Sequence, residues 1–371
     1  MIGATSVAAR AAAPERLSPR TDRDRIDAEL IENLTEAGRG FAANAYLRPL
    51  WERTTAFVLR GGKRIRPRLC LASYRVASGR EPEGATWRVA AALELFHAFM
   101  LVHDDLIDGS MLRRDQLTLH EAIRRDLEEP DAPAASKRAL DLGLVVGDLL
   151  AALGHRMLAR AGASPAIQRA VAEVLIDTGL GEALDVFYET TPLDRITERQ
   201  LLDAYLRKTS RYTVTGPLIV GALLAGQGRP LVRALRRFGD RLGLAYQLQN
   251  DLDALAVDPT LGGDHPDLDS GKRTWILWKA HRLLDCDGRR MLREALTDPV
   301  GPARRIRLWR LIQSSGALEA ARGQIEIWRD EAMAALGSAP LEESQRQAYL
   351  ALIGLFPGAA SPADLAGKAT A

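Results

Sequence analysis

Apolar residues recur every three or four positions along most of the 371-residue chain, a spacing typical of amphipathic and buried α-helices. Alternating runs of Val, Ile and Thr, which would indicate β-strands, are missing, and aromatic residues make up only 5% of the sequence. An all-α fold is therefore expected. The predicted helical stretches lie at about residues 23–59, 64–79, 84–112, 137–162, 165–189, 196–226, 229–255 and 272–356.

Glycine and proline interrupt this pattern and indicate loops, as at Gly79 and Pro165. Residues 126–136 and 258–271 are rich in Pro and Asp and are the clearest predicted loops. We find no repeat of fixed period and no heptad pattern that would divide the chain.

One helical domain is therefore predicted over residues 23–356. Residues 1–22 are rich in Ala, Arg and Ser, and we expect a disordered leader there, with a transit peptide as the alternative. Residues 357–371 are predicted to form a flexible tail.

Composition narrows the classes of function. The net charge of +2 gives no reason to expect nucleic acid as a partner, so any local basic cluster needs a local anion. Cys70 and Cys286 are too few for a disulfide framework or a zinc site, which favours a cytoplasmic protein. An uninterrupted apolar run of about 18 residues does not occur, so no membrane span is predicted.

The segment HDDLIDGSMLRR carries the sharpest chemical signal. On a helix, Asp104 and Asp108 lie one turn apart, and Asp105 is three residues from Asp108. These carboxylates follow an apolar stretch and repel one another. Magnesium bound through carboxylates and substrate phosphates would relieve the repulsion. The alternative is a solvated helix end whose acids pair with Arg113 and Arg114.

A second set of oxygen ligands occurs in YQLQNDLDALAVDP. Gln247, Asn250, Asp251 and Asp258 fall near one face of the predicted helix. Two such helices in one protein indicate facing walls with metal ions and a polyphosphate between them. A helix cap or a solvated face remains the alternative for this segment.

Lysine is rare, since only six of the 50 basic residues are lysines. Lys63 in GGKRIRP, Lys208 in LRKTSRYT and Lys272 in DLDSGKRT each stand beside glycine or small hydroxyl residues. A lysine ammonium is a compact partner for phosphate, and the glycines before Lys63 let backbone amides approach an anion. Each lysine alone is compatible with an ordinary surface position, whereas the three together favour a polyphosphate site.

The motifs GGKRIRP, HDDLIDGSMLRR, KTS, YQLQND with a following DP, and GKRT occur in the order found in the trans-isoprenyl diphosphate synthases. This family, also called the polyprenyl synthetases, includes the farnesyl and geranylgeranyl diphosphate synthases, and the resemblance covers about residues 25–355. It implies helices around a deep central cavity and a homodimer. The implied reaction joins isopentenyl diphosphate to an allylic diphosphate with the help of Mg²⁺.

The resemblance also implies roles for individual residues. The ligands of two or three Mg²⁺ ions with bound diphosphate would be Asp104, Asp105, Asp108 and Asp251. The residues that bind the allylic substrate would be Arg113, Lys208, Thr209, Gln247 and Lys272. Those that bind the diphosphate of isopentenyl diphosphate would be Lys63, Arg66, His97 and Arg114. The implied catalytic residues are Asp104, Asp105, Asp108, Arg113, Lys208 and Lys272, and none of them acts as a nucleophile.

The second acidic segment departs from the family pattern Asp-Asp-x-x-Asp, because the corresponding positions hold Asn250, Asp251 and Ala254. Two carboxylates of the family pattern are therefore missing from this segment. Either it binds metal more weakly than in the family, or a local distortion brings Asp253 to the metal site. The spacing of Asn250, Ala254 and Asp258 also resembles a metal motif of terpene cyclases, so a cyclase on the same fold is one alternative. A non-catalytic subunit of a heteromeric synthase is another. A cyclase would not need a second diphosphate site. The complete set Lys63, Arg66, His97 and Arg114 therefore favours chain elongation over cyclisation.

Product length is expected to depend on Phe99 and Met100, which the resemblance places at the cavity floor. A ring at position 99 without an aromatic residue at position 100 is similar to the geranylgeranyl pattern. We therefore expect a C20 main product with C15 next. Simple core packing is the alternative role of Phe99.

Overall fold

The computed structural model describes residues 21–113, 116–127, 132–261 and 265–355. The predicted tail, residues 1–20 of the predicted leader, and Arg114 lie outside these ranges. Within them the chain is predominantly helical, which confirms the all-α prediction. The strands of the described part are β1 (Leu112–Arg113) and β2 (Gln116–Leu117), which pair antiparallel.

The helices before the midpoint of the chain surround one apolar core. They are α1 (Asp22–Gly38), α2 (Leu47–Leu59), α3 (Ile65–Ser78), α4 (Ala85–Ile107), α5 (Leu119–Arg125), α6 (Pro133–Arg160) and α7 (Pro165–Glu189). The second half contains α8 (Glu198–Tyr205), α9 (Gly216–Leu224), α10 (Arg229–Ala254), α11 (Pro266–Ser270), α12 (Trp275–Leu283), α13 (Cys286–Thr297), α14 (Pro302–Ser314), α15 (Ala317–Gly337) and α16 (Glu343–Ala351).

The helix predicted over residues 23–59 is broken, because α1 ends at Gly38 and α2 begins at Leu47. The side-chain oxygen of Asn44 accepts hydrogen bonds from the amides of Tyr46 and Leu47, at 2.9 and 3.0 Å, and satisfies donors at the start of α2. The prediction of a single helix was wrong because it passed over the glycines of this segment.

Other predicted boundaries also differ from the structure. Helix α4 ends before β1, and α5 was not predicted. The first predicted loop is shorter, since α6 begins at Pro133, and a proline is well suited to a first helical turn. The second predicted loop contains α11 and a 3₁₀ turn at Pro259–Leu261. The stretch predicted over residues 272–356 is divided into α12 to α16.

Helix α4 lies in the core, where Val89, Leu95 and Phe96 are buried, and it packs against α1, α3 and α6. By length and apolar composition α4 and α6 would be able to cross a membrane, although neither has an uninterrupted apolar run. The most apolar part of α4 is 61% buried inside the protein and that of α6 is 44% buried. Burial explains the apolar sequence of α4.

A π-helical segment, Leu206–Thr215, joins α8 to α9 and packs against α7 and α10. Both neighbours approach it through glycines. A Cβ atom at Gly181 of α7 would lie 2.4 Å from the backbone nitrogen of Lys208, and one at Gly243 of α10 would lie 2.4 Å from Cα of Ser210. This close packing places the side chains of the segment between α7 and α10.

Candidate active site

A cavity of about 1800 Å³ opens between α3, α4, α7, the π-helical segment and α10. Most of the residues that the sequence singled out contribute to its wall. Those lining it are Lys63, Arg66, His97, Phe99, Met100, Asp104, Arg113, Lys208 and Thr209. Helices distant in sequence thus bring the predicted anion-binding and acidic residues to one space.

The acidic turn lies where α4 ends. Asp108 caps the helix, and Gly109 adopts a positive φ of 61°, which turns the chain away from the helix axis. The chain then returns along β1, so that Arg113 donates to Oδ1 of Asp105 at 2.6 Å and to Oδ2 of Asp104 at 2.7 Å. Pairing of the acids with Arg113 is therefore realised for two of the three carboxylates.

Burial and the neighbouring carboxylates destabilise the charged forms of Asp105 and Asp108. Burial raises the pKa of Asp105 to about 6, and Arg113 offsets only part of this effect. Partial desolvation of the exposed Asp108, followed by the charge of Asp104, also raises its pKa. Oδ2 of Asp105 is buried without a hydrogen-bond partner in the described part of the chain. A divalent cation would compensate this excess of negative charge.

Two further carboxylates, on α7, face this turn and were missed by the sequence analysis. Nζ of Lys208 lies 2.8 Å from Glu182, 2.7 Å from Asp185 and 3.4 Å from Asp104. Nζ of Lys272 lies 3.0 Å from the same oxygen of Asp185. In the sequence, Glu182 and Asp185 lie three residues apart in the segment GEALD and so share one helical face. This spacing was the available signal, but it is common on solvated helices.

The charges of this network are mutually dependent. Burial and the charge of Lys272 favour neutral Lys208, but the carboxylates of Asp185, Asp104 and Glu182 outweigh them and raise its pKa. Burial alone would raise the pKa of Asp185, yet the two ammonium groups hold it below its ordinary value. Both lysines therefore stay cationic and ready to meet an anion.

The donor set fits a divalent metal ion. Carboxylate oxygens of Asp104, Asp108 and Glu182 all lie within 4.8 Å of one another, beside the cavity. Hard cations such as Mg²⁺ prefer such oxygens and complete their coordination with water and substrate phosphates.

The second predicted metal wall, on α10, is arranged differently. Asp251 is 4% exposed; Tyr205 donates to its Oδ2, and Gln247 donates to its Oδ1 at 2.7 Å. Thr209 in turn donates to Gln247 at 2.7 Å. Burial, followed by the charge of Asp267, raises the pKa of Asp251 to about 7. Its role as a metal ligand stays a prediction.

The neighbours of Asp251 do not form the predicted common face. Asn250 lines the cavity. Helix α10 ends at Ala254, and Asp258 lies beyond this end and accepts hydrogen bonds from the amide and hydroxyl of Thr260. Asp253 is exposed and accepts from Gln249 rather than reaching inward. The prediction of one shared face was wrong because the helix ends before Asp258.

The basic segment at the start of α3 has two functions. Arg64 adopts a left-handed backbone with φ of 47°, and its buried guanidinium pairs with Asp27 at 2.9 Å and Glu94 at 2.6 Å. Lys63 and Arg66 line the cavity on either side of it. The structural pairing of Arg64 explains how two neighbouring cations are directed to the same space.

An aromatic contact supports this basic group. The guanidinium of Arg66 lies 4.0 Å from the ring centroid of Tyr212 and donates to Thr213 at 2.8 Å. Nδ1 of His97 lies 3.0 Å from the Tyr212 hydroxyl. The π-helical segment therefore positions the group predicted to bind the second diphosphate. Arg114, predicted to complete it, lies outside the described residues.

The cavity also has an apolar wall. Phe99 and Met100 line it, and the ring of Phe99 packs edge-on against His103 with 4.8 Å between centroids. Leu175 and Phe187 of α7 line it as well. One cavity thus combines carboxylates and cations with an apolar surface suited to a hydrocarbon chain.

Comparison with known proteins identifies the family to which this chain is similar. The model of the polyprenyl synthetase family matches residues 49–306. The geranylgeranyl diphosphate synthase of Sulfolobus acidocaldarius is 30% identical over 257 residues, which cover 67% of this chain and 71% of that protein. A short chain isoprenyl diphosphate synthase of Methanothermobacter thermautotrophicus is 31% identical over 239 residues, which cover 62% and 67%.

A solved structure shows the same fold. The geranylgeranyl pyrophosphate synthase of Corynebacterium glutamicum, complexed with isoprenyl diphosphate and magnesium, has a TM-score of 0.81 and 26% identity. The match covers 91% of this chain and 98% of that chain. The family model spans well over half of the sequence, so the chain belongs to the polyprenyl synthetase family and is a trans-prenyltransferase.

Proposed function

We propose that the protein condenses isopentenyl diphosphate with an allylic diphosphate, in the presence of Mg²⁺, to give geranylgeranyl diphosphate as its main product. One observation carries the proposal: two groups of cations, a carboxylate cluster and an apolar wall lie in or beside a single cavity. Lys208 and Lys272 border the carboxylates, whereas Lys63 and Arg66 come from the start of α3. Two diphosphates require two such groups.

The chain's own residues supply binding, orientation and exclusion of water. Lys208, Lys272 and Arg113 would hold the allylic diphosphate, and Lys63, Arg66 and His97 would hold isopentenyl diphosphate. When bound, two or three Mg²⁺ ions would supply positive charge to the leaving diphosphate. The apolar wall excludes water, which would otherwise quench an allylic cation. Loss of the final proton to released pyrophosphate needs no protein nucleophile or base.

The proposed C20 product rests on the position of Phe99. Its ring contributes to the apolar wall on the helix that ends in the carboxylate turn, where it would limit a growing tail. The comparisons support this length through relatives named geranylgeranyl diphosphate synthase, and we expect C15 as the next product.

The test is incubation of purified protein with Mg²⁺, isopentenyl diphosphate and dimethylallyl, geranyl or farnesyl diphosphate in turn. Products are analysed with and without phosphatase, alongside reactions with EDTA or without isopentenyl diphosphate. Linear prenyl alcohols that appear only after phosphatase treatment, and only with Mg²⁺, support the proposal. Hydrocarbons or terpene alcohols formed without isopentenyl diphosphate would instead identify a cyclase.

We also propose that the protein is a homodimer. Helices α6 and α7 expose apolar side chains at helical spacing, and exposed apolar patches of this kind mark interfaces. They are Leu140, Leu144, Val145 and Leu149 of α6, and Ile176, Leu180, Val186 and Phe187 of α7. Val186 and Phe187 also line the cavity, so a second copy would help to close its wall.

Light scattering of purified protein tests the dimer. Twice the chain mass is expected, and Leu144→Glu should shift the mass toward the monomer. Activity of the chain purified alone would exclude the alternative of a non-catalytic subunit, whereas activity only after addition of a second, different chain would support it.

A further inference from the structure

We propose that Glu182 of α7 is a metal ligand that, together with Asp104 and Asp108, takes the part of an opposing carboxylate wall. This inference rests on the metal-dependent reaction proposed above. Glu182 lines the cavity, and one of its oxygens lies within 4.8 Å of an oxygen of each aspartate. The three ligands come from two helices that face each other across the cavity.

Helix α10 leaves this part of the site without a free carboxylate. Its cavity-lining residues, Tyr246 and Asn250, carry no carboxylate, and both oxygens of Asp251 accept hydrogen bonds from Tyr205 and Gln247. Ala254, one turn after Asn250, offers no ligand atom. In the described part of the chain, the negative charge opposite Asp104 therefore comes from Glu182 and Asp185 of α7.

The structure already holds a cation between the proposed ligands. The ammonium of Lys208 lies 2.8 Å from Glu182 and 3.4 Å from Asp104, so it stands in for positive charge between α4 and α7. Lys208 does not depend on Glu182, because Asp185 accepts from it at 2.7 Å. Glu182 is therefore able to exchange the lysine for a metal ion while Lys208 keeps a counter-charge.

Binding of Mn²⁺ to the purified full-length protein tests this assignment without reference to turnover. Free Mn²⁺ is measured by electron paramagnetic resonance during titration, with and without inorganic pyrophosphate. In Glu182→Gln we expect one fewer bound ion, or a dissociation constant raised about tenfold, as is typical when a group that supports a metal site is lost. Asp104→Asn should show a similar or larger loss.

Glu173→Gln is the matched control, because it removes the same charge from α7 at an exposed position outside the cavity. It should bind Mn²⁺ like the wild type. If Glu182→Gln binds Mn²⁺ like the wild type while Asp104→Asn loses binding, the metal site stands but Glu182 is not one of its ligands. No binding to the wild type would overturn the metal site as a whole. If circular dichroism shows Glu182→Gln to be unfolded, Glu182→Asp, which keeps the charge but shortens the side chain, should weaken binding; unchanged binding would count against the assignment.

Discussion

The hydroxyl of Tyr205 donates to the carboxylate of Asp251 and at the same time accepts the backbone N–H of Trp275, at 2.8 Å. One buried oxygen therefore links α8, α10 and the first residue of α12. Lys272 lies just before α12, so this link also helps to hold that lysine beside Asp185 of α7.

Tyr205→Phe would leave the Trp275 amide and one oxygen of Asp251 without this partner. We expect the free energy of unfolding to fall by about 1–3 kcal/mol, the penalty of leaving buried polar groups unsatisfied. Urea denaturation at neutral pH measures it. Tyr188→Phe is the control, because its partly buried side chain makes no such pair of hydrogen bonds with the described residues, and its change should stay within about 0.5 kcal/mol. Equal losses in both variants would contradict the proposed link.

Asp185→Asn removes the carboxylate shared by Lys208 and Lys272. We expect the free energy of unfolding of the ligand-free protein to fall by about 1–3 kcal/mol, less than for a fully buried pair because Asp185 retains some exposure. Inorganic pyrophosphate with Mg²⁺ should raise the melting temperature more in this variant than in the wild type, since the anion replaces the lost charge.

Asp177→Asn is the matched control for Asp185→Asn. Asp177 lies on the same helix and also accepts from two cations, Arg207 and Arg211, but it does not line the cavity. It should lose stability without any extra gain from pyrophosphate. The same gain in both variants would show that the anion does not bind at the two lysines.

Gly181→Ala would place a Cβ atom 2.4 Å from the backbone nitrogen of Lys208. Since backbone has to move, we expect a loss of about 1–3 kcal/mol and a reduced turnover through displacement of Lys208. Gly179→Ala, two residues earlier with no atom of the described residues within 4 Å of the new Cβ, should instead stabilise by up to about 1 kcal/mol through helix propensity. Thermal unfolding of the pair checks this, and destabilisation of both would contradict the packing argument.

Phe99→Ala should lengthen the product beyond C20, because removal of the ring leaves room in the cavity for a longer hydrocarbon tail. Chromatography of the dephosphorylated alcohols measures the product length. Phe99→Leu, which keeps most of the apolar volume, is the control and should shift the distribution less. An unchanged product length in Phe99→Ala would show that the ring contributes only to packing against His103.

His281 of α12 makes stability dependent on pH. It is 3% exposed, and burial, followed by the charge of Arg282, lowers its pKa from 6.5. The unfolded ring takes up a proton as the pH falls through about 6.5, whereas the folded ring, with its lower pKa, does so only at lower pH, so acidification favours unfolding. We expect the free energy of unfolding to fall between about pH 7 and 5.5, and to fall less in His281→Leu. Urea titrations at both pH values measure this, and equal slopes would contradict it.

Local sequence was sufficient for the helical class and for much of the site. The apolar period predicts the helices, and the run before Asp104 marks a buried helix that ends in charge. The three lysines stand out because the chain otherwise uses arginine. Boundaries failed where side chains decide them, as at Asn44 before α2, and where a helix stops early, as α10 does before Asp258.

Glu182 and Asp185 illustrate what local patterns omit. They lie on an ordinary helix, and only the packing of α7 against the π-helical segment brings them to Lys208. Arg64 is the converse case, because it belongs to a basic motif yet pairs with Asp27 and Glu94 inside the fold.

The amino-acid sequence by itself therefore determined the helices, the acidic end of α4 and the identity of the cations, because these depend on residue type and on neighbours within a few turns. Only the tertiary structure decided which carboxylates share a cation and which face the cavity. That choice depends on the approach of α7 and α10 to the π-helical segment through Gly181 and Gly243. Contacts between residues far apart in sequence arise from packing, and packing has no local signature.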